Sequence, residues 1–255
     1  MLETVVNRKP LKDEVFDVLH SRIIAGEYAA GSWLRQEEIS SHLGVSMTPV
    51  REALDLLVST GLAERVPYRG VRVLAPSSRE ILNSYGLRLL LEPTATYAAA
   101  VNASAEQVLQ LRAILAESKE LVTLDDMSRL RVLSRELHGG LVAASGNPLL
   151  HRSYVTALNT FPDWMLFEYL FRHPEILAES MREEYDEHAG IVEAVAGHNP
   201  ALAAGCTIDH ILNRGKELHT YLGIAYEEIR AAEDQVLPLL SKTIFPKHLF
   251  EEEST

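Results

Sequence analysis

Apolar positions recur at helical spacing along most of the chain. Val15, Val18, Leu19 and Ile23 line one face of a segment predicted helical over residues 11–25. Gly26 and Gly31 bracket a loop, and a short helix over 36–43 stops at Gly44, a residue suited to a left-handed cap. A third helix is predicted over 46–60. Val50, Ala53, Leu54 and Leu57 give it an i, i+3, i+4, i+7 core face. Pro49 sits in its first turn, where a missing N–H costs nothing, and Gly61 ends it. The period then shortens. Residues 62–66 and 71–74, joined by the turn Pro67-Tyr68-Arg69-Gly70, read as a two-stranded hairpin with a basic tip.

Beyond residue 75 the pattern is almost purely helical. Leu74-Ala75-Pro76-Ser77-Ser78 reads as a linker, with Ser77 or Ser78 capping the next helix and Glu80 in its first turn. Six or seven helices are predicted, over 78–101, 104–122, 127–145, 149–171, 174–197, 200–222 and 226–242. Asn147-Pro148, His173-Pro174 and Asn199-Pro200 mark breaks, and Pro162 is placed to kink or split the fourth. An antiparallel bundle buries such faces. The expected organisation is a first domain over 1–75, an all-helical domain over 76–245, and a frayed tail over 246–255.

Composition narrows the class. Apolar residues make up 47% of the 255 positions, enough for a buried core, and no apolar run of membrane-spanning length occurs. The start of the chain lacks the apolar core of a signal peptide. Cys206 is the single cysteine, which excludes an internal disulfide and fits a reducing cytoplasm. The net charge of −12 is uneven: through Ala75 nine Lys and Arg face ten Asp and Glu, leaving −1, and the remainder carries −11. A basic surface on the first domain is therefore compatible with an acidic body.

Helix, short helix, glycine turn, helix and basic hairpin together describe a winged helix-turn-helix. The helix opening at Ser46 would enter the major groove by its N-terminal end. Met47, Thr48 and Arg51 share the face opposite the Val50, Leu54 and Leu57 core. Arg51 suits a bidentate contact to guanine or a phosphate clamp, and the amides at Ser46 to Thr48 favour phosphate. Arg69 at the wing tip, with Gly70 permitting close approach, suits the minor groove or the backbone. The run Gly44-Val45-Ser46-Met47-Thr48-Pro49-Val50-Arg51-Glu52-Ala53-Leu54, followed by Leu57 and Gly61-Leu62, resembles the GntR family of bacterial regulators, and the likeness extends from Leu11 to Val73. The family often carries a base-reading arginine where this chain has Met47, which implies an altered operator sequence.

Residues from about Ser78 to Leu240 resemble the FCD ligand-binding domain of the FadR-like branch of that family. The residues that carry the likeness are the stretch Tyr85 to Pro93, Leu137-His138, Gly146-Asn147-Pro148, Glu184-Tyr185-Asp186-Glu187-His188, and His210. The resemblance implies a divalent metal held by three histidines and one aspartate, with an effector beside it. His138, His188 and His210 fall on three predicted helices, and His188 heads a core stripe with Ile191, Val192 and Val195. Three neutral imidazoles suit Zn²⁺ or Ni²⁺. Each histidine alone is more often a hydrogen-bonded core residue than a ligand. The family's aspartate falls at Ser134, which predicts weaker metal binding and a gain in affinity for Ser134→Asp. Cys206, one turn before His210, reads as a small core residue.

Arg88 shares a face with Tyr85 and Glu92. By resemblance Arg88 binds an effector carboxylate; the alternative is a surface i, i+4 pair with Glu92. Phe161, Trp164, Phe167 and Tyr169 read as packing residues. The effector site is thus expected to comprise Tyr85, Arg88, Ser134, His138, His188 and His210. The expected protein is a homodimeric repressor of double-stranded operator DNA released by a small carboxylate, with no membrane partner. A regulator answering to the metal itself is one alternative. A metallohydrolase is another, which the absence of a nucleophile motif, HExxH or paired carboxylates disfavours.

Overall fold

The computed structural model describes residues 9–243. The chain divides into two compact units, Met1–Ala75 and Pro76–Thr255. The tail predicted over 246–255 lies outside the described residues.

In the first unit, α1 (Leu11–Ile24) packs on α3 (Met47–Ser59), with α2 (Gln36–Leu43) against the same helix. Val50, Ala53, Leu54 and Leu57 are fully buried, as are Leu19 and Ile23 of α1. Val18, expected on the buried stripe, is 38% exposed, and His20 and Ile24 take the inner face in its place. The sharp α2–α3 turn depends on Gly44 at φ 65°, ψ 30°, a left-handed conformation that costs glycine nothing. The hairpin expected here has a third member. β2 (Ala63–Val66) and β3 (Gly70–Val73) form it, and β1 (Trp33–Leu34) adds to β3, giving the antiparallel order β1-β3-β2. Trp33 pairs with Arg72 and Leu34 with Val71. A two-residue strand is too short to show an alternating pattern, so nothing in the local sequence marks it.

The second unit holds eight helices among the described residues, one more than the upper expectation, because the segment predicted over 149–171 is two: α7 (Pro148–Thr160) and α8 (Asp163–Arg172). Pro162 ends the first and precedes the second. The others are α4 (Ser78–Asn102), α5 (Ala105–Glu120), α6 (Met127–Ala144), α9 (Pro174–Ala196), α10 (Pro200–Leu222) and α11 (Tyr226–Thr243). The long α4 is the axis of this unit, in contact with α6, α7, α9, α10 and α11. It opens on a capping box: the Glu80 amide donates to the Ser77 hydroxyl, and the Ser77 amide donates back to the Glu80 carboxylate. Asn147 and Asn199 cap α7 and α10 through their side chains, each just before a proline at the first helical position. One core cluster runs through Leu111, Leu137, Leu141, Ile191, Val192 and Val195. A second runs through Tyr85, Leu89, Phe161, Ile211, Leu218 and Ile229.

Candidate functional site

In the winged unit, Ser46 occupies the N-cap position of α3, but its side chain makes no capping bond. Its hydroxyl is therefore left available. Met47, Thr48 and Arg51 are exposed on the first turns of α3, on the face away from Val50 and Leu54. Pro49 is buried and contributes no N–H, so the free amides at the helix start are those of Met47 and Thr48. No ion pair or hydrogen bond engages the side chain of Arg51 or Arg69 among the described residues, whereas the other two hairpin arginines are taken. Arg65 pairs with Asp55, and Arg72 Nε lies 2.7 Å from Glu64 Oε1. The basic tip thus reduces to Arg69. Its amide donates to the Val66 carbonyl at 3.0 Å and closes the turn. Gly70, at φ 110° with open space where a side chain would be, lets another backbone approach closely. Tyr68, fully exposed at φ 62°, stands beside Arg69 at the apex. Its place in the turn was legible in the sequence; its outward projection was not.

The second unit brings the three histidines together. His138 of α6, His188 of α9 and His210 of α10 are each at least 95% buried, and one ligand atom from each lies within 4.8 Å of the others. The Nε2 atoms of His138 and His188 are 3.1 Å apart. Zn–N bonds of about 2.0–2.1 Å set two imidazole nitrogens of one ion about 3.3 Å apart at a tetrahedral angle, so this pair stands at ligand spacing. Two of the three outer nitrogens face carboxylates. His138 Nδ1 is 2.7 Å from Glu92 Oε2, and His210 Nδ1 is 2.8 Å from Glu187 Oε2. A carboxylate on Nδ1 fixes the tautomer that leaves Nε2 as a donor of electrons to a metal. Burial, reinforced by the neighbouring His138, Arg214 and Arg88, pushes the His188 and His210 imidazoles well below their ordinary range and keeps them neutral. The donor set therefore fits a borderline divalent cation.

Arg88 is not a surface residue. It forms the i, i+4 pair with Glu92 at 2.5 Å, but both side chains are buried, and the guanidinium lies 4.6 Å from the centre of the Phe161 ring. Burial opposes the charge on Glu92, yet Arg88 and His138 overcome it and hold the carboxyl at about 2. Arg88, Glu92 and His138 thus form one chain of contacts from α4 into the centre. Tyr85, fully buried, donates its hydroxyl to Glu233 of α11 at 2.8 Å and lies outside the histidine cluster. Ser134 of α6 donates to Glu184 Oε1 at 3.1 Å. Cys206 is half-buried, packed beside the first core cluster. Trp164, Phe161 and Phe167 are packing residues; Tyr169 stacks on Tyr221 with ring centres 4.2 Å apart.

Sequence reasoning placed none of Glu92, Glu184, Glu187, Arg135 or Arg214 in the site, reading Glu92 only as a surface partner of Arg88. A cavity of about 40 Å³ beside the histidines is bordered by Arg88, Ser134, Arg135, His210, Arg214 and Glu217. Arg214 serves three carboxylates, with Nη1 2.9 Å from Glu217 and 3.9 Å from Glu184, and Nη2 3.6 Å from Glu187. Burial, set against Arg214 and reinforced by Glu184 and Glu187, raises the Glu217 carboxyl to about 8. The sequence signals for this group were the i, i+4 spacings of Arg88 to Glu92 and of Glu184 to His188.

Residues 11–73 match the model for bacterial regulatory proteins of the gntR family, and residues 83–213 match the FCD domain. A relative from Paenarthrobacter nicotinovorans named "Probable D-xylose utilization operon transcriptional repressor" is 27% identical over 81% of this chain and 88% of its own. The HTH-type transcriptional repressor NanR of Escherichia coli K12 is 25% identical over 84% of this chain and 86% of its own. The structure of E. coli McbR/YncC shares the fold, with a TM-score of 0.63 and 21% identity over 84% of this chain and 99% of that one. These relatives are regulators rather than enzymes, and no described helix is long and apolar enough to cross a membrane. With both models matched in order along the chain, the protein belongs to the gntR family of bacterial regulatory proteins, in the branch that carries an FCD domain.

Proposed function

We propose that this regulator is a homodimeric repressor whose operator DNA is released when a small organic acid binds beside a divalent metal held by His138, His188 and His210. The observation that carries the sensor reading is the convergence of three buried imidazoles from three helices, two of them oriented by carboxylates on Nδ1. The repressor names of the curated relatives support the direction of regulation. On the DNA side, Arg51 and the Met47 and Thr48 amides face the major groove, and Arg69 follows the minor groove or backbone. Two copies match the two-fold symmetry of a palindromic operator.

The cavity beside the histidines supports a responsive site. A volume of about 150 Å³ accommodates a benzene-sized ligand, whereas this space is about 40 Å³, room for a few water molecules. An organic acid therefore fits only if the walls move, and a ligand that prefers the widened form shifts the population toward it. Zn²⁺ or Ni²⁺ would supply a Lewis-acidic point for the acid's carboxylate, and the arginines at the cavity would balance its charge.

Elemental analysis of protein purified without chelator or a metal-affinity step, before and after incubation with Zn²⁺ or Ni²⁺, tests the metal. The expected result is one equivalent per chain. Operator binding by fluorescence anisotropy is then titrated separately with metal and with candidate acids. Release by acid at constant metal supports the reading. Release by metal alone makes the metal the signal, and absence of metal after loading makes the histidines direct hydrogen-bonding partners of the effector.

A further inference from the structure

The carboxylate that the FCD resemblance leads one to expect at Ser134 is absent from α6, but a carboxylate stands at that place in the fold. Glu184, on α9 one turn before His188, directs Oε1 toward Ser134 Oγ at 3.1 Å and toward His188 Nε2 at 3.9 Å. Its side chain is 13% exposed, and it borders the same cavity as Ser134, His138 and His210. We infer that Glu184 is the fourth protein ligand of the metal centre, with Ser134 holding its carboxylate in place. The inference rests on the metal reading of the three histidines.

The geometry decides between Glu184 and other acids nearby. Glu92 and Glu187 face the outer Nδ1 atoms of His138 and His210, the side away from a shared ion. Glu217 is bound to Arg214 at 2.9 Å. Among the described residues, only Glu184 approaches an inner nitrogen. Two donors of one ion with bonds of about 2.1 Å lie at most about 4.2 Å apart when opposite one another. The Glu184–His188 separation of 3.9 Å is inside that limit, while Glu184 does not share the 4.8 Å cluster of all three histidines, so ligation requires its side chain to turn about the Ser134 hydrogen bond toward the ion. The second oxygen, Oε2, is 3.9 Å from Arg214 Nη1, too far for a hydrogen bond that would draw the carboxylate off the ion. Ser134 contributes by being small and by donating. An aspartate in its place would set a second carboxylate against Glu184, and two like charges at one site repel. The serine on α6 and the glutamate on α9 therefore act as a matched pair, and the single negative charge of the ligand set is kept while its helix changes.

Competition of the chelator-stripped full-length protein against a chromophoric chelator for Zn²⁺ tests this, with Ni²⁺ calorimetry as a second readout. Glu184→Gln is expected to weaken Zn²⁺ binding by about ten-fold or more, as loss of a group that orients or ligates a metal does. Ser134→Asp alone is expected to leave affinity unchanged or lower it. In the double variant Ser134→Asp/Glu184→Gln, the carboxylate returns to α6, and most of the affinity is expected to return with it. Unchanged affinity in Glu184→Gln, with loss in His188→Ala, overturns the assignment of Glu184 and leaves the metal centre standing. Tighter binding in Ser134→Asp overturns it as well, and does so even if Glu184→Gln fails to fold by circular dichroism. A wild-type protein that takes up neither metal overturns the metal reading and this inference together.

Discussion

Arg51 and Arg88 show how one residue type does opposite work in the two units. Arg51 is exposed and its side chain has no partner among the described residues, so its guanidinium is available to DNA. Arg51→Ala is expected to cost about 1–3 kcal/mol of operator affinity and relax sequence preference if the arginine reads a base. Unchanged anisotropy titrations with an intact fold would remove α3 as the reading helix. Arg88 is committed to Glu92, and removing it leaves a buried carboxylate uncompensated. Arg88→Ala is expected to destabilise the helical unit by about 3–5 kcal/mol, seen as a large fall in melting temperature. A variant that melts like the wild type would show Arg88 free for a ligand. Glu217 gives a pH dependence. Its folded value of about 8 lies above the ordinary carboxylate range. The folded state then keeps a proton that the unfolded state has lost, so stability falls as pH rises from about 4.3 toward that value. Glu217→Gln is expected to flatten this slope in melting curves taken across pH 5 to 9; an identical slope in both proteins would place its cause elsewhere.

Helix boundaries were legible where local chemistry decides them. Gly44, the Ser77–Glu80 box and the Asn-Pro pairs before α7 and α10 each satisfy or release backbone groups within a few residues, and the helices start or stop there. Ser77→Ala is expected to cost about 1 kcal/mol in chemical denaturation; no change would mean that Ser78 takes over the cap. Elements set by distant partners were not legible. β1 exists only because β3 is there to receive Trp33 and Leu34. The three histidines were named through the resemblance to the FCD domain, with His188 alone read as heading an apolar stripe, and their orienting partners come from other helices: Glu92 on α4 serves a histidine of α6, and Glu187 on α9 serves one of α10. The Arg88–Glu92 pair was legible as an i, i+4 spacing, while its burial depended on Phe161 at the end of α7 and on the helices packed around α4.

At the scale of the whole molecule, charge is divided by function. The near-neutral winged unit presents Arg51 and Arg69 without an ion pair among the described residues, and the acidic remainder supplies most of the net −12. Arg69→Ala is expected to weaken binding evenly across sequences and to reduce the slope of log affinity against log salt by about 1. A change confined to one operator position would make Arg69 a base reader. The narrow space beside the histidines has a further consequence, in time. Its border includes Asp163, at the first turn of α8, which Arg131 and Arg135 hold at 2.8 and 3.2 Å. If the acid enters only after that wall has opened, entry waits for a spontaneous event with a rate of its own. In a stopped-flow experiment the rate of operator release then climbs with acid concentration and reaches a ceiling, and the ceiling rises in Asp163→Asn, where the latch on α8 is weakened.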